Sequence, residues 1–337
     1  MEYPKFIKEN DSIGVTSPSD GVTREEKLYR LDCAIKKFNE LGFGIVETIN
    51  VRTSYKGRSS SSEERARELE SLYKDEKVKA IIISSGGDFL LEVLSELDFE
   101  VIRKNPKWLQ GFSDPTGLLY TITTNLDIAT IYGDNFCAFG MKKWHKSLEN
   151  NLEILKGKKQ EQSNFSLYEK DYTKYIVGDE EYNLTENVYW KCLNRSDKVE
   201  FRGRMIGGCL DIINDLFGTR FDKTLEFINK YKEDGIVWYF DNCEFSSEQL
   251  IRTLWKLKDN NYFEYANGII FGRSATEKSY YDISFDEAVI SSLGELGIPI
   301  IVGADIGHVS PRMTIINGAI ADIEVVDGKG KIKFNLD

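Results

Sequence analysis

The stretch VKAIIISSGGD, residues 78–88, is a near-continuous apolar run closed by two glycines. A strand with one wet face alternates apolar and polar residues. One that reads apolar along its length is covered on both faces, as in a parallel sheet between layers of helices. Its neighbours fit the same scheme. SIGVTS (12–17) ends at Pro18, Val46–Val51 reads as a second strand, Trp108–Gly111 as a short strand and Ile128–Tyr132 as another. Between them lie helical spacings: Leu28, Leu31, Ala34 and Phe38 within 25–41, a charged surface helix over 62–74 with Ser62 as N-cap, then 89–97 and 116–124. Strands alternating with helices predict right-handed crossovers and a parallel sheet. Residues 1–141 are therefore expected to form an α/β domain.

From 142 to 199 apolar periodicity is weak and Tyr, Lys, Glu and Asn dominate, which reads as a connecting segment or a loop over a site. A second, smaller α/β domain is expected over 200–337. GRMIGGCL (203–210) places two glycines where backbone approaches something closely. Strands follow at 236–240, 268–271 and 298–302, with helices over 247–258 and 287–296. The tail, 313–334, alternates as strands around a turn at Asp327-Gly328.

A net charge of −11 without a Lys/Arg stripe argues against nucleic acid as a partner. The chain lacks an apolar run long enough for a membrane span and an N-terminal secretion signal, so a cytoplasmic location is expected. Five cysteines with no CxxC pair read as reduced thiols. With two histidines, no HExxH, no GxxxxGK[ST] and no GxGxxG after a strand, neither a metal nor a nucleotide cofactor is expected.

In QGFSDPTGLLYTIT (110–123), Ser113 follows a predicted strand and precedes a predicted helix. Such a serine presents its hydroxyl at the carboxyl edge of the sheet, as in a nucleophile elbow; alternatively, Ser113 or Asp114 caps the helix. A serine nucleophile needs a base. His145 lies in a charged segment, whereas His308, in VGADIGHVSP, sits in a loop just past a strand and is the better candidate. Asp241 ends the apolar strand in GIVWYFDNCE, and Glu244 follows three residues on; either can orient an imidazole or cap the turn. Gly86 and Gly87 can present bare N–H groups and, with the N–H of Asp114, form an oxyanion hole.

The order of SGGD, PKWLQGFSDPTGLLY, IYGDN, GRMIGGCL, FDNCE and GADIGHVSPRMTIINGA resembles the LD-carboxypeptidase family of serine peptidases, which includes the microcin C self-immunity proteins. The resemblance implies a Rossmann-like N-terminal domain, a C-terminal domain with a β-rich tail, and a Ser–acid–His triad split between them without metal or cofactor. It places the nucleophile at Ser113, the base at His308, and the oxyanion donors at Asp114 and one of Gly86 or Gly87. The acid falls on Asp241 where the family usually has glutamate, with Glu244 as the alternative. The substrate implied is a small peptide or a peptidyl-nucleotide, and the assembly a homodimer. The 142–199 segment is similar to an insertion of the immunity branch, where Trp190 either stacks on a nucleobase or is an ordinary packed aromatic.

Overall fold

The computed structural model of the chain describes residues 1–171, 174–195 and 198–336. The N-terminal half runs β1 (Ser12–Thr16), α1 (Glu25–Glu40), β2 (Gly44–Glu47), α2 (Ser62–Lys74), β3 (Val78–Ile83), α3 (Phe99–Lys104), β4 (Trp108–Gly111), α4 (Thr116–Leu126) and β5 (Thr130–Tyr132). Its strands lie parallel in the order β2-β1-β3-β4-β5. Every residue of β3 except Lys79 is buried, as a strand between two helical layers requires. Strand order reverses at β1, so the loops leaving β1 and β3 part and open a crevice at the carboxyl edge of the sheet.

The segment between the halves carries α5 (Lys146–Leu155), β6 (Glu161–Ser163), β7 (Leu167–Tyr168), β8 (Glu186–Asn187) and β9 (Lys191–Cys192). Then follow β10 (Lys198–Cys209), α6 (Leu210–Leu216), α7 (Thr224–Lys230), β11 (Ile236–Asp241), α8 (Ser247–Asp259), β12 (Ala266–Gly272), α9 (Phe285–Leu293) and β13 (Ile300–Ala304). The chain closes with β14 (Ile315–Asn317), β15 (Ile320–Val326) and β16 (Lys329–Asn335). A second sheet has the order β6-β16-β15-β10-β11-β12-β13-β9, parallel from β10 to β13 and antiparallel at both flanks. The β15–β16 hairpin turns at Asp327 and Gly328, both at positive φ.

The two sheets are tied together by the chain itself. β14 leaves the second half to pair antiparallel with β5 of the first sheet. The 142–199 region is less of a linker than its sequence suggests: α5 buries Leu148, Leu152 and Leu155, while β6 and β9 form the edges of the second sheet. Its strands are two or three residues long, too short to show a period of two. Two smaller expectations are corrected. The N-cap of α2 is Ser61, whose hydroxyl accepts the Glu64 N–H at 3.3 Å, and Ser62 is the first helical residue. The apolar run after Gly87 forms a 3-10 turn over Leu90–Ser95.

The sheets also meet at the glycine pair of GRMIGGCL. Gly208 has φ 146°, and a Cβ on it would lie 2.5 Å from Thr116 Cγ2 at the start of α4. The next residue, Cys209, donates its N–H to Thr116 Oγ1 at 3.1 Å. Replacing Gly208 with Ala is predicted to destabilise the fold by about 1–3 kcal/mol through overpacking and backbone strain, measured by denaturant unfolding. An unchanged midpoint would show that this contact does not constrain the two sheets.

Candidate active site

Ser113 occupies the turn between β4 and α4 with φ 71°, a left-handed conformation uncommon for a residue with a Cβ. Holding a non-glycine residue there costs about 1–3 kcal/mol, a strain characteristic of functional turns. The side chain is not spent on capping. Pro115 stands at the N-cap of α4 with no side-chain cap bond, and Ser113 contributes only its carbonyl, which accepts the Thr116 N–H at 2.9 Å. Asp114 does not cap the helix either. Its buried carboxylate accepts the Ser19 hydroxyl and, at 3.0 Å, the Leu90 N–H, tying the turn to the loops after β1 and β3. Burial raises the Asp114 carboxyl above its usual range, against the lowering effect of those two bonds.

The Ser113 hydroxyl lies 2.9 Å from His308 Nε2, and His308 Nδ1 lies 2.6 Å from Asp241 Oδ2. The three side chains thus form one unbroken chain of hydrogen bonds, with the serine on the first sheet and the other two on the second. Asp241 is fully buried at the end of β11. Its carboxylate also accepts the His308 backbone N–H at 3.2 Å and the Tyr132 hydroxyl at 2.7 Å. Burial alone would push this carboxyl up, but the His308 charge and these bonds outweigh it and hold it below the usual range. Around His308, burial disfavours the charged ring, yet the Asp241 charge and hydrogen bond prevail and raise its pKa above the ordinary 6.5.

Gly307 explains how an aspartate spans this distance. At φ 93°, it has no Cβ to occupy the space taken by Asp241 Oδ1, so the His308 loop settles directly onto the carboxylate. Glu244 is not drawn in: it is exposed, and its N–H donates to Asp211 Oδ1 at 3.1 Å. Gly86 stands beside the serine, where a Cβ would lie 3.3 Å from Ser113 Oγ. Gly87 instead faces Ser19 and Asp20. Among the described residues, the backbone N–H groups of Gly86 and Asp114 donate to no protein acceptor. His145 is distant in role; it caps α5, its Nδ1 accepting the Ser147 N–H at 3.1 Å.

Trp190 is a correction. Its ring is 1% exposed and packs against Gly330, which leaves no face for a base. Its indole N–H donates to Asp305 at 2.9 Å, and Asp305 in turn pairs with Arg273 at 2.7 Å. Arg273 then donates to the carbonyls of Val309 and Pro311 at 3.0 and 2.7 Å, so Trp190 buttresses the His308 loop from behind.

Several supporting residues were not singled out from the sequence. Tyr132 closes the coordination of Asp241 from the first sheet. Arg312 is ion-paired with Asp134, donates to the Gly307 carbonyl at 2.6 Å, and lies over the Phe112 ring at 4.0 Å. Asn135 accepts the Phe112 N–H at 3.1 Å, fixing the entry to the serine turn. Tyr132, Asp134 and Asn135 all lie in IYGDN and Arg312 in HVSPRM, segments whose recurrence was the available signal. Among the described residues, the ligand-type atoms of Cys209, Asp241 and His308 lie within 4.8 Å of one another, but the carboxylate and imidazole are already bonded to each other.

Comparison with known proteins finds a family model for each half of the chain. The LD-carboxypeptidase N-terminal domain matches residues 13–133, and the LD-carboxypeptidase C-terminal domain matches residues 202–323. The chain belongs to the LD-carboxypeptidase family. It is 24% identical over 337 residues to a Bacillus subtilis (strain 168) protein named "Probable murein peptide carboxypeptidase", covering 99% of this chain and 95% of that one. It is 27% identical over 323 residues to the Microcin C7 self-immunity protein MccF of Escherichia coli, covering 90% and 88% respectively. The solved structure of an MccF-like protein from Bacillus anthracis str. Ames superposes with a TM-score of 0.84 at 26% identity, covering 99% of each chain.

The electrostatics give a pH prediction. A general base works in its neutral form, so if His308 serves as one, kcat/KM is expected to rise as pH rises through its pKa, with the acid limb above the 6.5 of an ordinary imidazole. Asp241→Asn removes the larger raising influence, leaving the lowering effect of burial against the smaller raising effect of Cys243. The limb is predicted to move to lower pH while turnover falls about 10⁴-fold, the scale seen when a triad aspartate becomes asparagine. An unmoved limb would contradict this.

Proposed function

We propose that this LD-carboxypeptidase family member hydrolyses an amide bond through a Ser113–His308–Asp241 triad. The observation that carries the reading is the continuous hydrogen-bond chain from Ser113 Oγ through both imidazole nitrogens to Asp241. With Nδ1–H donating to Asp241, Nε2 is the free acceptor facing the serine, the tautomer a general base requires. His308 takes the Ser113 proton as Oγ attacks the carbonyl carbon. The oxyanion forms toward the N–H groups of Gly86 and Asp114, and loss of one such donor typically costs about 10²–10³-fold in turnover. His308 then gives its proton to the leaving amine, and water releases the acyl group by the same steps in reverse.

For the substrate we favour the immunity-type reaction, cleavage of the amide joining a peptide or amino acid to a nucleotide-like group. The likeness to MccF over 90% of the chain and to the MccF-like structure over 99% supports it. Trp190, being buried, lends it no support. The match to the Bacillus subtilis relative over 99% of the chain favours a second reading, removal of the terminal D-residue from a murein tetrapeptide.

Both substrates can be offered in parallel to the wild-type protein and to Ser113→Ala, with mass spectrometry of the products. The favoured reading predicts release of the sulfamoyl nucleotide from an aminoacyl sulfamoyl adenosine, absent with Ser113→Ala. Release of D-Ala alone would replace it with the murein reading. Equal product from wild type and Ser113→Ala would overturn the triad.

A further inference from the structure

A cleft of about 550 Å³ opens on His308, and Cys243 stands in its wall beside the imidazole. Its volume is within the range of small-molecule sites. The proposed triad leaves this thiol unused, since Ser113 and Asp241 account for the two ring nitrogens. Burial lowers the pKa of the ring and Asp241 raises it most; the Cys243 thiol stands close enough to add to that rise. The sulfur is thus one half of a thiol–imidazole pair in the wall of a cavity. A base within reach of a thiol generates the thiolate, which is the form that attacks.

The turn that carries Cys243 fixes its approach to the ring. Its N–H donates to Asp211 Oδ2 at 3.0 Å, and the N–H of Glu244 donates to Oδ1 of the same carboxylate at 3.1 Å. Before it, Asn242 Nδ2 donates to the Phe245 carbonyl at 3.0 Å and to Ser274 Oγ at 2.9 Å. The Asn242 carbonyl accepts the Ala275 N–H at 3.0 Å. The other four cysteines are placed differently. Cys192 and Cys209 are buried. Burial, with the Asp241 and Asp211 carboxylates, pushes the Cys209 thiol well above its ordinary range. Burial pushes the Cys137 thiol up to about 12. Cys33, partly exposed on α1, neighbours the Tyr29 hydroxyl, a group that stays protonated at neutral pH and takes no proton.

We propose that Cys243 is a site of reversible thiol–disulfide exchange, in which His308 takes the thiol proton and the sulfur attacks a small organic disulfide. Cys243 Sγ bonds to one sulfur of the reagent as the S–S bond of the reagent breaks. The proton held by His308 passes to the departing thiolate, which leaves as a thiol. One S–S bond is lost and one is formed, so the exchange needs no further oxidant. The adduct fills the cleft against His308 and silences the imidazole until a free thiol reverses the exchange. Only this silencing rests on the triad reading; the exchange itself needs the Cys243–His308 pair and not the serine.

The test treats the full chain with hydroxyethyl disulfide, a neutral probe, and follows each cysteine by peptide mass spectrometry over time. Cys243 is expected to react about tenfold or more faster than any other cysteine, and about tenfold more slowly in His308→Ala. A thiol that was merely exposed would react as fast or faster once the ring is gone. Wild-type protein unfolded in urea is a control that needs no variant, and there the preference for Cys243 should vanish. No adduct, a first adduct on another cysteine, an undiminished rate in His308→Ala, or a preference that persists in urea would overturn the proposal. The serine chemistry is read separately, by fluorophosphonate labelling of Ser113 in the unmodified protein, so failure of the triad leaves the Cys243 result standing. Where Ser113 does label, labelling is expected to be lost in the adduct and recovered with dithiothreitol; undiminished labelling of the adduct would overturn the silencing.

Discussion

A carboxylate with no exposure to solvent must be paired, and the way Asp241 is paired organises the whole site. It accepts two bonds from His308, one from the backbone and one from the ring, and a third from Tyr132. The first two come from the loop after β13, and the third from the first sheet. A buried ion pair of this kind contributes little net stability, because desolvation offsets the attraction. What it does supply is geometry. The imidazole has one orientation that satisfies Asp241, and in it Nε2 faces Ser113 at 2.9 Å.

The same requirement explains why the two sheets cannot slide past one another. The serine belongs to β4–α4 and its partners to β11 and the loop after β13, so a displacement of an ångström would break the chain of bonds. Three contacts resist it: Gly208 against Thr116, Arg312 bridging Asp134 and Gly307 over the Phe112 ring, and β14 paired with β5. Behind the histidine loop, Trp190, Asp305 and Arg273 hold the carbonyls of Val309 and Pro311. The strained Ser113 turn is kept in place from beneath by Asp114 and from the side by Asn135.

Much of this was legible in the amino-acid order because it depends on local pattern. The apolar run of β3, the amphipathic spacing of α1 and the strand–turn–helix context of Ser113 are each set by neighbours within a dozen residues. Less visible was what depends on distant contact. Nothing near Asp241 says whether it or Glu244 meets the histidine; Gly307, 66 residues along the sequence from Asp241, makes room for the shorter acid. Ser61 and Ser62 are equivalent as caps on paper, and only the backbone path distinguishes them. Trp190 reads as a surface aromatic amid Tyr, Asn and Glu, but the flanking β9 pairs with β13 and draws the indole inward. The short strands of 142–199 escape periodicity because two residues cannot show one.

The central claim is that Ser113 is activated by His308 across the two sheets. The direct measurement is reaction of the purified protein with a fluorophosphonate, followed by peptide mapping, in the wild type and in His308→Ala. The account predicts one adduct per chain, located on Ser113 and lost in His308→Ala. No adduct, an adduct elsewhere, or equal labelling of the two proteins would contradict it.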